Sequence, residues 1–156
     1  MNPCPCGYLG DTSGRCRCAP QAVSRYRSRI SGPLADRIDI KVEAPAPRES
    51  EMLDVAHAEA SSRIRDRVVA ARERQLARQG TLNASLATRE IARFCSVEAD
   101  AEALLKEAIR RLSLSARAYH RVLRVARSIA DLAGESSIAA VHVAEAVQYR
   151  RLDAVR

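Results

Sequence analysis

Four cysteines open the chain in two tight pairs, Cys4-Pro5-Cys6 and Cys16-Arg17-Cys18, with nine residues between them. Four thiolates are the ligand set of a closed, structural tetrahedral zinc site. The spacing is C-x-C rather than the commoner C-x2-C, so reduced thiols and disulfides remain alternatives to structural Zn2+. The intervening loop holds Gly7, Gly10, Asp11, Ser13 and Gly14, residues able to turn the chain back on itself. Arg15 and Arg17 would offset the negative charge of four thiolates. Cys95, beside Phe94, reads as a small buried hydrophobe. His57, His120 and His142 are too scattered in sequence to suggest a metal site.

Arginine is the second chemical feature. Of 26 basic residues, only Lys41 and Lys106 are lysines, and 19 acids leave a formal charge of +7. A guanidinium offers a planar fork of donors that suits phosphate. A G+C-rich genome also inflates Arg and Ala, so only arginines at special positions count as evidence. Arg110, Arg111, Arg117, Arg121, Arg124 and Arg127 form a stretch with no intervening acid. They could follow a phosphate backbone, but a solvated face is the favoured reading, and no aromatic residues interleave to make a stacking platform.

These groups must be positioned by the rest of the chain. Residues 1–19, punctuated by Pro, Gly and Cys, form no regular element. A short helix is expected over 21–30, carrying Arg25, Arg27 and Arg29 and stopped by Ser31-Gly32-Pro33. Ile38, Ile40 and Val42 alternate with Asp39, Lys41 and Glu43, the period of a half-buried strand whose sheet partners are not evident in this chain. Ala44-Pro45-Ala46-Pro47 reads as an extended linker. Helices are then expected at about 58–79, with Ile64, Val68 and Ala71 on one face and Gly80 as a stop, and at 87–95. Others follow at 98–112, at 116–133 ending on Gly134, and at 137–149 with Ser137 as cap. No run of 18 apolar residues and no signal-peptide pattern occur, so the chain is expected to be cytoplasmic, without a membrane partner.

Three segments together carry a resemblance. They are Met1-Asn2-Pro3-Cys4-Pro5-Cys6-Gly7-Tyr8-Leu9-Gly10-Asp11, then Tyr26-Arg27-Ser28-Arg29-Ile30-Ser31-Gly32-Pro33-Leu34-Ala35-Asp36-Arg37-Ile38-Asp39, and the stretch from Leu114 through Ser115-Ala116-Arg117 to Asp131-Leu132. With Gln148-Tyr149-Arg150 near the end, the chain resembles the C-terminal part of the ComM/YifB family of magnesium-chelatase-like AAA+ ATPases. The resemblance implies roles. Asn2 matches the sensor-1 position, where a carboxamide orients the attacking water. Arg37 matches an arginine finger acting in trans on a neighbouring subunit's nucleotide. Arg117 matches the sensor-2 arginine of the helical lid, and the cysteines match the family's own cysteine-bearing insertion. Ala35 stands where the family usually has Leu, a packing change.

The fold class implied is mainly α, a helical AAA+ lid bundle preceded by the C-terminal remnant of an α/β P-loop ATPase core with a cysteine-rich loop. Residues 1–43 would be the core remnant, 44–50 a linker and 51–156 the lid. The intact parent would bind ATP and Mg2+, assemble as a homo-hexamer and act on DNA in branch migration during natural transformation. This chain contains neither the G-x-x-x-x-G-K-[ST] loop that cradles phosphates nor a Walker-B run. It is therefore expected to be a fragment, inactive alone. The alternatives are a stand-alone helical module binding nucleic acid or a AAA+ partner, and a gene remnant.

Overall fold

The computed structural model describes residues 1–11, 13–35, 37–44, 47 and 59–151. The linker at 44–50 falls largely outside these residues, and the helix expected from about 58 begins at Ser61. Two compact units are present: Met1–Ile38 belongs to the smaller, while Asp39–Val42 joins the residues from 59 onward in the larger.

The smaller unit is mostly loop. Its helix α1 spans Pro20–Arg27, shorter than the 21–30 expected. Pro20 occupies the first turn, where a missing N–H costs nothing. One further turn, α2, covers Gly32–Ala35. Only Cys4 and Ala35 are buried among the described residues of this unit.

The larger unit is a helical bundle. Its helices are α3 (Ser61–Gln79), α4 (Thr88–Phe94), α5 (Ala99–Leu112), α6 (Ala116–Ala133) and α7 (Ala140–Arg151), with a 3-10 turn at Asn83–Ser85. Helix α6 is the centre, packing against α3, α4 and α7, while α5 packs on α7. Its sequence explains why. Val122, Leu123, Ala126 and Ala130 recur at helical spacing and are buried, with Tyr119 and Ile129 half-buried beside them. Small residues on this stripe let the helix axes approach closely. The core is completed by Leu86, Ile91, Cys95, Ala101, Leu105, Ile138, Val143 and Ala146.

Helix ends follow local chemistry. Ser115 Oγ accepts a hydrogen bond from the Ala118 N–H at 3.2 Å and caps α6. Gly134 closes the same helix with φ 84°, and Gly80 closes α3 with φ 71°, a region that favours glycine. In α5, Asp100 and Glu102 lie in the first turn and Arg110 and Arg111 in the last, matching the helix dipole at both ends.

Four expectations change. No strand forms over 38–42 among the described residues; Ile38, Ile40 and Val42 are 38%, 51% and 70% exposed. The alternation is present, but a strand is stable only against partners. Ser137 is not a helix cap: α7 begins at Ala140, and Ser137 Oγ instead donates to Glu98 Oε1. The capping interaction comes from His142, whose Nδ1 accepts from the Ala139 N–H at 3.1 Å. Ile64 and Val68 share the predicted face with Ala71 but are exposed, because the bundle covers α3 only from Ala71 onward. Lastly, the Arg110–Arg127 stretch is not one solvated face. Arg110, Arg111 and Arg117 are exposed, Arg121 and Arg124 are half-buried, and Arg127 is 1% exposed.

Candidate metal centre and arginine sites

The cysteine loop closes through a series of tight turns. The Gly7 N–H donates to Cys4 O at 3.1 Å, Asp11 N–H to Tyr8 O at 3.1 Å and Gly14 N–H to Asp11 O at 3.3 Å. Gly7, Gly10 and Gly14 take positive φ, which lets these turns follow one another without steric cost. Asp11 Oδ1 accepts from the Ser13 N–H at 2.7 Å, an Asx turn that steadies the far end of the loop.

The turns bring the four sulfurs together. The Sγ atoms of Cys4, Cys6, Cys16 and Cys18 all lie within 4.8 Å of one another. Cys4 lies 3.3 Å from Cys6 and 3.8 Å from Cys16, and Cys6 lies 3.7 Å from Cys16. A tetrahedron with Zn–S bonds of about 2.3 Å has edges of about 3.8 Å. A disulfide needs about 2.05 Å, and every cysteine here is free. The donor set thus fits a four-thiolate zinc ion. The thiols differ among themselves. Burial pushes Cys4 up, but hydrogen bonds from Cys6, the Leu9 backbone and Cys16 outweigh it and bring the thiol down to about 6. For Cys18, a bond from the Cys6 backbone favours the thiolate, while the Cys6 side chain, burial and Cys4 push it up to about 11. One thiolate forms first and its neighbours resist further charge, a conflict that a divalent cation would remove.

Asn2 is exposed and lies over Gly7, where an added Cβ would meet its Nδ2 at 3.6 Å. Arg37 follows α2 in a turn, its N–H donating to Leu34 O at 3.0 Å, and is exposed. Arg117 is the second residue of α6, exposed, and forms no ion pair with another described residue. Of the sequence-derived sites, the cysteines are the group whose side chains the structure brings together.

A second polar cluster escaped the sequence reading. Asp131, 1% exposed, accepts both prongs of the Arg78 guanidinium, an Asn83 Nδ2–H at 2.8 Å and, on Oδ1, the Arg127 guanidinium at 3.1 Å. Arg127 also donates to the carbonyls of Ser136 at 2.8 Å and Glu135 at 2.5 Å. Gln75 Oε1 accepts from the Asn83 N–H at 3.0 Å. The available signal was Arg127 and Asp131, four apart, interrupting the apolar stripe of α6.

Matches to known families cover both units. Residues 58–150 match the model for the magnesium chelatase subunit ChlI C-terminal region, and residues 1–52 match that for magnesium chelatase subunit ChlI. The chain belongs to the magnesium chelatase ChlI family. It is 40% identical over 153 residues to competence protein ComM of Haemophilus influenzae, covering 97% of this chain and 30% of that protein. It is 43% identical to the uncharacterized protein YifB of Escherichia coli over 155 residues, 98% of this chain and 30% of the relative. An uncharacterized protein of Mycobacterium tuberculosis is 36% identical over 159 residues. The chain therefore spans about 30% of the length of these curated relatives. No helix among the described residues is long and apolar enough to cross a membrane.

Proposed function

We propose that this chain supplies the second half of a nucleotide site in a ComM/YifB-type AAA+ ATPase that moves along DNA. The observation that carries the reading is the 40% identity to competence protein ComM across 97% of the chain. When bound, ATP with Mg2+ supplies the phosphoanhydride whose cleavage drives the motor. Arg37, on an exposed turn, reaches across a subunit junction to neutralise charge on the transferred phosphoryl group. Arg117 sits at the exposed start of α6 and holds the phosphates of its own subunit. Asn2 orients water. The parent assembles as a hexamer, DNA is its partner, and it works in the cytoplasm, where the cysteines stay reduced enough to hold zinc.

Zinc in the Cys4/Cys6/Cys16/Cys18 cluster is structural in this reading. All four ligand positions are protein thiolates, leaving none open for water. The smaller unit has little else to hold it, since so few of its described residues are buried.

The test is kinetic. The 156-residue chain should hydrolyse ATP no faster than background. In a protein that joins it to a ComM-type P-loop core, Arg37→Ala should abolish turnover while ATP still binds. Arg117→Ala should weaken nucleotide binding as well. Turnover by the chain alone, or full activity of the Arg37→Ala protein, would refute the assignment.

A further inference from the structure

Tyr8 and Arg15 face each other across the cysteine loop. The Arg15 guanidinium carbon sits 4.2 Å from the centre of the Tyr8 ring. Arg15 is held there by its Nε–H to Ser13 Oγ at 2.8 Å and by Asp11 at 3.7 Å. The Tyr8 backbone is anchored by the turn it opens, its carbonyl accepting from the Asp11 N–H at 3.1 Å, and the residue is 38% exposed. Such a layer of ring and guanidinium is already paid for in conformational entropy before any ligand arrives. Leu9, next in sequence, is 37% exposed.

The segment that carries this pair is one-sided in charge. Residues 1–35 contain Arg15, Arg17, Arg25, Arg27 and Arg29 against the single acid Asp11. A zinc tetrathiolate would subtract two charges and still leave the segment positive. Helix α1 is tied to the loop, since Arg27 Nε–H donates to Pro3 O at 3.2 Å. Arg29 repeats the pairing on a second ring, 5.7 Å from the centre of Tyr26.

We propose that the cysteine loop is a stacking site for single-stranded nucleic acid, with Tyr8 and Arg15 as the base platform and Arg17, Arg25 and Arg29 contacting phosphates. This rests on the nucleic-acid part of the proposed function and adds which element makes the contact. Flat rings beside guanidinium groups accept unstacked bases and follow a phosphate chain without regard to sequence. A duplex keeps its bases stacked on each other and offers Tyr8 no face. The same chemistry serves DNA and RNA strands, which differ in the 2′-hydroxyl.

The experiment uses the full chain, zinc content measured in parallel, and fluorescence anisotropy with a labelled oligo-dT strand, an oligo-U strand and a duplex of equal length. Binding should favour the strands over the duplex. Tyr8→Ala should weaken strand binding roughly 5- to 150-fold with the salt dependence unchanged, and Tyr8→Phe should restore it. The Arg25→Ala/Arg29→Ala protein should lower the slope of log K against log salt by about 1.4. Ultraviolet crosslinking of a 5-iodouracil strand to the unmodified chain covers the case in which Tyr8→Ala loses zinc or fold; the adduct should map to residues 8–15. Equal affinity of Tyr8→Ala and the parent chain, preference for the duplex, or adducts confined to residues from 59 onward would overturn the proposal. If strands bind but Tyr8 is indifferent, the nucleic-acid reading survives and only this site falls.

Discussion

Asp131 grips Arg78 with both carboxylate oxygens, Nη1 to Oδ1 at 2.6 Å and Nη2 to Oδ2 at 3.0 Å, across 53 residues of sequence. The pair joins α3 to α6 where the apolar contact between them is thin: Ala71 and Gln75 are the buried residues that α3 contributes. Arg74 adds a bond from Nη1 to the Asp131 carbonyl at 2.8 Å. Arg78 alone would be an unremarkable basic residue at a helix end. Asp131 and Arg127 beside it make it the clamp that holds α3 on the bundle.

Breaking that clamp should be costly. Asp131→Ala leaves the buried guanidinium of Arg127 without its carboxylate and strands an Asn83 donor. The expected loss is about 3–5 kcal/mol of stability, read from the urea midpoint of the helical signal. A loss below about 1 kcal/mol would mean that the cluster is solvated in solution and structurally idle.

The same carboxylate sets an acid limit. Burial pushes Asp131 up, but bonds from Arg78 and Asn83 and the charge of Arg127 outweigh it, so its carboxyl lies below the ordinary value. A depressed folded pKa stabilises fully above the unfolded value of about 3.9 and is lost as pH falls through the folded value. Bundle stability should therefore drop below about pH 4, with a shallower acid slope in Asp131→Asn. Identical slopes in the two proteins would place the acid sensitivity elsewhere.

The cysteines should separate into two classes. Zinc-loaded chain should carry about one ion, lost in Cys4→Ser. Chelation should expose four thiols to a disulfide reagent, while Cys95 stays silent until the bundle unfolds. Cys95 is 4% exposed, and burial pushes its thiol up to about 11 despite the nearby arginines. Its raised value also means that stability falls as pH climbs from about 9 toward 11. A fifth thiol reacting at once after chelation would contradict the packing around Ile91, Cys95 and Leu105.

Much of the bundle was legible because helical period and end chemistry are local. Val122, Leu123, Ala126 and Ala130 announce a buried stripe, and Gly134 and Gly80 announce the ends of α6 and α3, without reference to anything distant. The cysteine pairs were legible for the same reason: spacing and glycine content bound the loop geometry. Ile64 and Val68 show the limit. Their pattern specifies a face but not whether another element covers it. The alternation at Ile38–Val42 fails likewise, because pairing belongs to two segments and only one is written there.

By itself, then, the sequence determined which stretches coil, which thiols can meet, and which family motifs surround Asn2, Arg37 and Arg117. Tertiary structure alone decided the fate of the arginines. Arg117 and Arg127 sit ten residues apart on one helix, yet the first is exposed and the second is 1% exposed beside Asp131. Residue type gives both the same charge. What separates them is desolvation: Arg127 is met by Asp131 one turn on and by the Glu135 and Ser136 carbonyls just past the helix, and Asp131 is in turn held by Arg78 and Asn83, about 50 residues away, a meeting that residue type and spacing do not announce.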